Sequence, residues 1–220
     1  MTLKCILFDF GGCLDSDGVH SRTLFLNEFK FKDKALFQDA YTFADQKVIS
    51  ESLILNSNLL EMNVIMSQLI AQKLEIPFDV SVPQRISDVQ SFHLKRNVSV
   101  LSTLSKQYKL GIVSNFSGNL KIILEEFKLR QYFDFVIDSY YEQCAKPDIR
   151  IFKRALELAA TSPLDCAFVG DNPERDIAPA KSLGMKTILI TQNILSIKEQ
   201  IADVAIEQLD DILSALKKIS

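Results

Sequence analysis

Four short segments of this 220-residue chain each end in a side chain suited to group transfer: Asp9, Ser114, Lys146 and Asp171. Asp9 closes the apolar run Cys5-Ile6-Leu7-Phe8 and is followed by Phe10-Gly11-Gly12-Cys13-Leu14. A carboxylate at the exposed end of a buried strand, with a glycine turn behind it, suits a nucleophile beside a backbone that can approach a phosphate or a metal. Taken alone, the same residues read equally as a strand end and a turn. Position 11, two residues on, is a glycine rather than a second carboxylate.

These residues need a scaffold that brings them to one edge. Short β-rich runs recur at Leu3–Phe8, Leu110–Ser114, Phe135–Asp138, Cys166–Gly170 and Lys186–Ile190, separated from residue 95 onward by amphipathic stretches. That alternation predicts an α/β fold, a Rossmann-like, mostly parallel sheet flanked by helices. Helices are expected at Val98–Gln107, Ser117–Leu129, Asp148–Ala160 and Asp176–Leu183, the last stopped by Gly184, with a short strand or turn and a final helix in 203–219. Residues 15 to about 94 differ: one glycine, and Leu, Ile, Phe and Met at helical spacing through Ser50–Leu74. This length predicts a four- or five-helix insert, a separate lobe over the sheet. The expected division is a core of 1–15 and 95–220 with a helical cap of 16–94. Ligands of such sheets bind beyond the carboxyl ends of the strands, where Asp9, Ser114-Asn115 and Gly170-Asp171 fall.

Composition narrows the partners. Apolar content of 47%, charged content of 24% and a formal charge of −3 suit a soluble globular protein and give no basic footprint for nucleic acid. No apolar run nears the ~20 residues of a membrane span, so a cytoplasmic protein, monomer or homodimer, with no membrane partner is expected. Cys5, Cys13, Cys144 and Cys166 form no C-x-x-C pair and are read as reduced thiols. Cys13 as a nucleophile finds no histidine at a supporting spacing.

The set resembles the haloacid dehalogenase-like superfamily, whose members are mostly magnesium-dependent phosphatases. Four motifs stand in order: Asp9-Phe10-Gly11-Gly12-Cys13-Leu14; Gly111-Ile112-Val113-Ser114-Asn115; Lys146-Pro147-Asp148; and Gly170-Asp171-Asn172-Pro173-Glu174-Arg175-Asp176. The insert matches the family's cap placed after the first strand. The resemblance implies a Mg²⁺-dependent phosphatase acting on a small phosphorylated metabolite, a sugar phosphate among the candidates. Asp9 would be the nucleophile and form an aspartyl phosphate, with Ser114 and Lys146 in catalysis. Ser114, Asn115, Lys146 and Gly12 would bind substrate, and Asp9, the Gly11 carbonyl, Asp171 and Asp176 would hold Mg²⁺. A phosphate dianion beside three acids calls for a divalent cation and a lysine.

The departure is Gly11, where family phosphatases carry the acid that protonates the leaving group. Either the substrate has a good leaving group, such as an anomeric hydroxyl, or another group supplies the proton, Asp15 and Asp17 being nearby. A 2-haloacid dehalogenase using Asp9, and a weakened phosphate-ligand-binding protein, are the alternatives. Retention of Asp171 and Asp176 speaks against the first. In the cap, His20, Arg22, Asn27, Lys30 and Tyr41 are possible contacts, though a solvated face is the expected role for each. His93 is expected to be a packed boundary residue.

Overall fold

The computed structural model describes residues 3–194 and 201–219. Six parallel strands lie in the order β3-β2-β1-β4-β5-β6: β1 (Cys5–Phe8), β2 (Lys109–Ser114), β3 (Phe135–Asp138), β4 (Cys166–Gly170), β5 (Lys186–Ile190) and β6 (Val204–Ile206). The expected α/β class and the five strands are present, and the short strand of 203–219 supplies the sixth. β1 is apolar throughout and wholly buried, as a strand covered on both faces must be. Its residues alternate between two cores. Ile6 and Phe8 join the larger cluster, while Cys5 and Leu7 join Phe152, Ala155 and Phe168 on the other face.

Between β1 and β2 run α1 (Ser21–Phe29), α2 (Lys34–Ser50), α3 (Leu59–Lys73), α4 (Ser81–Arg96) and α5 (Val98–Leu104). The first four form the helical insert. Asp33 caps α2 by accepting from the Leu36 N–H, and Asn58 with Glu61 forms a reciprocal box at the start of α3. Later come α6 (Leu120–Glu126), α7 (Ser139–Glu142), α8 (Ile149–Ala159), α9 (Ala178–Ser182) and α10 (Ile212–Ile219). α7 has no counterpart among the expected helices: it is a single turn nucleated by Asp138, which accepts from the Tyr140 N–H. The expected helix at Asp176–Leu183 starts instead as a π-helical turn over Pro173–Ile177 and continues as α9. No helix among the described residues is long and apolar enough to cross a membrane.

The two passages into the insert are strapped together. Arg96 Nη2 donates to Asp17 Oδ2 at 2.6 Å, Asn97 Nδ2 to the Leu14 carbonyl at 2.8 Å, and Gln90 Nε2 to Asp15 Oδ2 at 2.8 Å. His93 Nδ1 lies 3.3 Å from Asp17 Oδ2, and the Leu209 N–H donates to its Oδ1, so Asp17 joins both passages to the core. Burial pushes the Asp17 carboxyl up, but the bonds from His93 and Arg96 outweigh it and leave the group below its ordinary value. A depressed acid stabilises the fold above the ordinary carboxylate range, and that stabilisation is lost as pH falls through it. Asp17→Asn is expected to lower unfolding free energy in urea titrations at pH 7 by about 2 kcal/mol, the size of a hydrogen bond to a charged group. The difference from wild type should narrow as pH falls below 4.

Candidate active site at the carboxyl ends of the strands

Asp9 leaves β1 at the point where the strand order reverses, with β2 on one side and β4 on the other. In a doubly wound sheet this crevice is the ligand position. Its Oδ1 accepts from its neighbour's Phe10 N–H at 2.7 Å and from Ser114 Oγ, the last residue of β2, at 2.8 Å. Lys146 Nζ sits 2.8 Å from the same oxygen and 2.7 Å from Asp176 Oδ1. Burial pushes the Lys146 ammonium down, yet the carboxylates of Asp176 and Asp9 prevail and hold it protonated, above its ordinary value.

Carboxylate oxygens of Asp9, Asp171 and Asp176 all lie within 4.8 Å of one another. One ammonium faces three acids. At that separation like charges repel by about 4 kcal/mol even at an effective dielectric near 20. Burial first, then the charges of Asp9 and Asp176, push Asp171 up to about 8. Burial and Asp9 push Asp176 up to about 6 despite Lys146. Asp171 Oδ1 is buried with no hydrogen-bond partner. An orphaned buried oxygen within a cluster of three carboxylates is a donor set that could hold a divalent cation.

Local chain geometry makes room for these groups. A Cβ on Gly12 would stand 2.3 Å from Asp171 Oδ2, and one on Gly170 would stand 2.6 Å from Asp176 Oδ2, so neither position admits a side chain. Gly12 also has φ +85°, and its N–H goes to Asp15 Oδ1 at 2.7 Å, which makes it the turn behind Asp9. Asn115 holds the Lys146 backbone with both amide atoms, accepting from its N–H at 2.7 Å and donating to its carbonyl at 2.8 Å. That places Asn115 as the residue that positions the lysine. The π-helical turn starts at Pro173, with Asn172 Oδ1 accepting from the Glu174 and Arg175 N–H groups. Its wide pitch brings Asp176 Oδ2 back to the Asn172 N–H and aims Arg175 across the site at His20.

Asp9, Gly11, Ser114, Asn115 and Lys146 line one cavity of about 330 Å³ that extends under the helical insert. From the insert come His20, Arg22 and Tyr41, three of the possible contacts, and two residues that sequence reasoning passed over, Asp45 and Gln90. Asn27 and Lys30 are exposed outside it, and His93 packs against Asp17. Asp45 follows Tyr41 by one helical turn, and that spacing was the only available signal. Arg175, also missed as a lining residue, stands inside the fourth motif. Burial, then Arg175 and Arg22, lowers His20 to about 4. Cys13 is fully buried with its Sγ toward the Val169 carbonyl, and burial beside Asp9 pushes the thiol well up. It is an inert packed thiol.

Neither nearby acid is free to stand in for the missing one. Asp15 accepts from the Gly12 N–H, Ser16 Oγ and Gln90 Nε2, and Asp17 is held by Arg96. At position 11 itself, a Cβ would meet only Ser21 Oγ, at 3.1 Å.

The sequence profile described as haloacid dehalogenase-like hydrolase matches residues 35–190, more than half of the chain. The chain belongs to that family. Asp9 and its glycine turn precede the matched span. A rhythmically expressed gene 2 protein of Drosophila melanogaster is 39% identical over 102 residues, which are 43% of this chain and 39% of that protein. A pyrimidine 5′-nucleotidase of Escherichia coli (strain K12) is 37% identical over 92 residues, 41% of each chain. The matched segments therefore span about two fifths of each of these two relatives. The crystal structure of a putative haloacid dehalogenase-like hydrolase of Bacillus subtilis, bound to magnesium, superposes with a TM-score of 0.61 at 18% identity, covering 99% of this chain and 100% of that one. At that identity the likeness is one of fold.

Raised carboxyl pKa values make stability depend on pH in a definite direction. An acid whose folded value lies above its unfolded one stabilises below the unfolded value and loses that contribution as pH rises through the folded one. In chelator, the thermal midpoint is expected to fall between pH 4 and pH 8, and Asp171→Asn should flatten the slope. A midpoint measured across that range by fluorescence or circular dichroism checks it.

Proposed function

We propose that this hydrolase is a Mg²⁺-dependent phosphatase that removes phosphate from a small phosphorylated metabolite, a sugar phosphate among the candidates, through an aspartyl phosphate on Asp9. The observation that carries the reading is the charge set: the carboxylates of Asp9, Asp171 and Asp176 with one buried ammonium, Lys146, of which Asp9 and Lys146 also line the cavity. Asp9, Asp171, Asp176 and the Gly11 carbonyl would hold Mg²⁺, which supplies charge neutralisation and polarisation of phosphoryl oxygens. A 2-haloacid dehalogenase has no use for such a charge set, which favours the phosphate reading. The local similarity to a pyrimidine 5′-nucleotidase points the same way.

The protein's own groups account for the rest. Lys146 and Ser114 already bond to Asp9 Oδ1. They orient the carboxylate and stand ready to meet phosphoryl oxygens, where charge builds in the transition state. The helical insert, residues 16–94, acts as a cap that covers the cavity and excludes water, over a core of 1–15 and 95–220. With Gly11 lacking an acid and Asp15 and Asp17 occupied, the leaving group departs with little proton donation. An anomeric or similarly acidic hydroxyl fits that constraint.

Two variants, one single and one double, test this. Turnover of p-nitrophenyl phosphate should require Mg²⁺ and be abolished in Asp9→Asn; metal-dependent turnover that survives this substitution would remove the aspartyl-phosphate reading, and its absence in the wild type would leave a binding protein. Gly11→Asp, with Ser21→Ala to clear the nearby hydroxyl, is expected to speed hydrolysis of alkyl phosphates by about 10–100-fold, within the range of general acid help. Sugar 1-phosphates should gain less than 6-phosphates.

A further inference from the structure

Most polar side chains lining the cavity already have partners. Gln90 donates to Asp15 and accepts from Asn63; Asp15 accepts three hydrogen bonds; His20 faces Arg175 and accepts from the Arg22 N–H. Three groups of the cap stand apart. Arg22 Nε is buried with no hydrogen-bond partner, and its guanidinium carbon lies 5.6 Å above the Tyr41 ring, which orients it without satisfying its donors. No hydrogen bond reaches the Tyr41 hydroxyl or the Asp45 carboxylate among the described residues, although both line the cavity. Burial raises the Asp45 carboxyl while the nearby positive charge of Arg22 opposes the rise. A buried donor of Arg22 and the half-buried polar groups of Tyr41 and Asp45, unpaired on the wall of a cavity that also contains Asp9, are placed to meet polar groups of a ligand.

Their charges specify that ligand. Arg22 offers only donors, Asp45 only acceptors, and Tyr41 one of each. Two guanidinium groups, Arg22 and Arg175, face two carboxylates, Asp45 and Asp15, on this part of the lining, so neither sign is in excess. A leaving group with a second phosphate or a carboxylate would meet Asp45, and one with an ammonium would meet Arg22. A neutral group carrying several hydroxyls satisfies both, because each hydroxyl both donates and accepts. Phe25, Ile54 and Met66 supply the apolar wall that the carbon faces of such a molecule cover.

We propose that Arg22, Tyr41 and Asp45 form the specificity site of this enzyme and select the monophosphate of a neutral, hydroxyl-rich molecule over phosphates whose leaving group is charged. The proposal rests on the phosphatase reading and names its substrate class. It is tested on the Mg²⁺-loaded protein with four probes: glucose 1-phosphate, 3-phosphoglycerate, phosphoethanolamine and p-nitrophenyl phosphate. The sugar phosphate should exceed both charged esters in kcat/KM by at least about tenfold. Arg22→Gln, Asp45→Asn and Tyr41→Phe should each raise KM for the sugar phosphate by about 10–100-fold, the effect of leaving a buried polar group unpaired. For p-nitrophenyl phosphate, which has no hydroxyls to offer, the rise should be at least about tenfold smaller. Equal losses on both esters, or preference for a charged ester, overturn the proposal. Calorimetric binding of the same esters to the Mg²⁺-loaded wild type and variants separates the two readings. Selective binding of the sugar phosphate without turnover would sink the phosphatase reading alone, and unselective binding would sink the specificity site.

Discussion

Three carboxylates share a largely buried crevice with one ammonium, and much of the surrounding structure is arranged around that imbalance. Lys146 meets Asp9 and Asp176 directly. The chain can bring Asp171 and Asp176 that close only because Gly12 and Gly170 have no side chains to fill the same space. Asn115 fixes the lysine by its backbone, and the π-helical turn after β4 returns Asp176 to the Asn172 N–H while turning Arg175 toward the cap. Raised carboxyl pKa values in Asp171 and Asp176 record that one ammonium is not enough. Such a site holds a proton, a cation, or a cation with a phosphoryl group, and the arrangement favours the last.

The helical insert between β1 and β2 is the second half of the same design. Asp17, Arg96, Asn97 and Gln90 tie its two passages to each other and to the core, so the helices covering Asp9 are joined to it by a buried polar strap. The strap also removes Asp15 and Asp17 from chemistry, because their oxygens are occupied in holding the chain. Hence the glycine at position 11 has no substitute acid beside it, and the demand for an easily displaced leaving group passes to the substrate. The unpaired polar groups of Arg22, Tyr41 and Asp45 line the same cavity from the helical insert.

The sheet was legible because strands buried on both faces read as short apolar runs, and their chemistry lies in the first polar residue after each run. Asp9, Ser114 and Asp171 were found in this way, and Lys146 through its motif. Other features hid for physical reasons. The partners of Asp17 are 79 residues away in sequence at Arg96, and no local pattern reports a contact of that range. Asp45 and Arg22 sit on helices that lack a sharp apolar stripe, so the pattern does not tell which face meets water and which a cavity. The π-helical turn followed a proline and a good capping residue, signals that an ordinary helix shares. Gly12 looked like a phosphate cradle, and only the structure shows its N–H given to Asp15.

The account depends most on Asp9 as the group that accepts phosphate. The direct measurement is acid quench of the Mg²⁺-loaded enzyme during turnover, followed by mass spectrometry of the peptide containing residues 5–14. A phosphoryl adduct on Asp9, labile at neutral pH and forming and decaying fast enough to carry turnover, is the predicted result. Turnover with no adduct, and with the released phosphate formed in one step from water, would contradict the central claim.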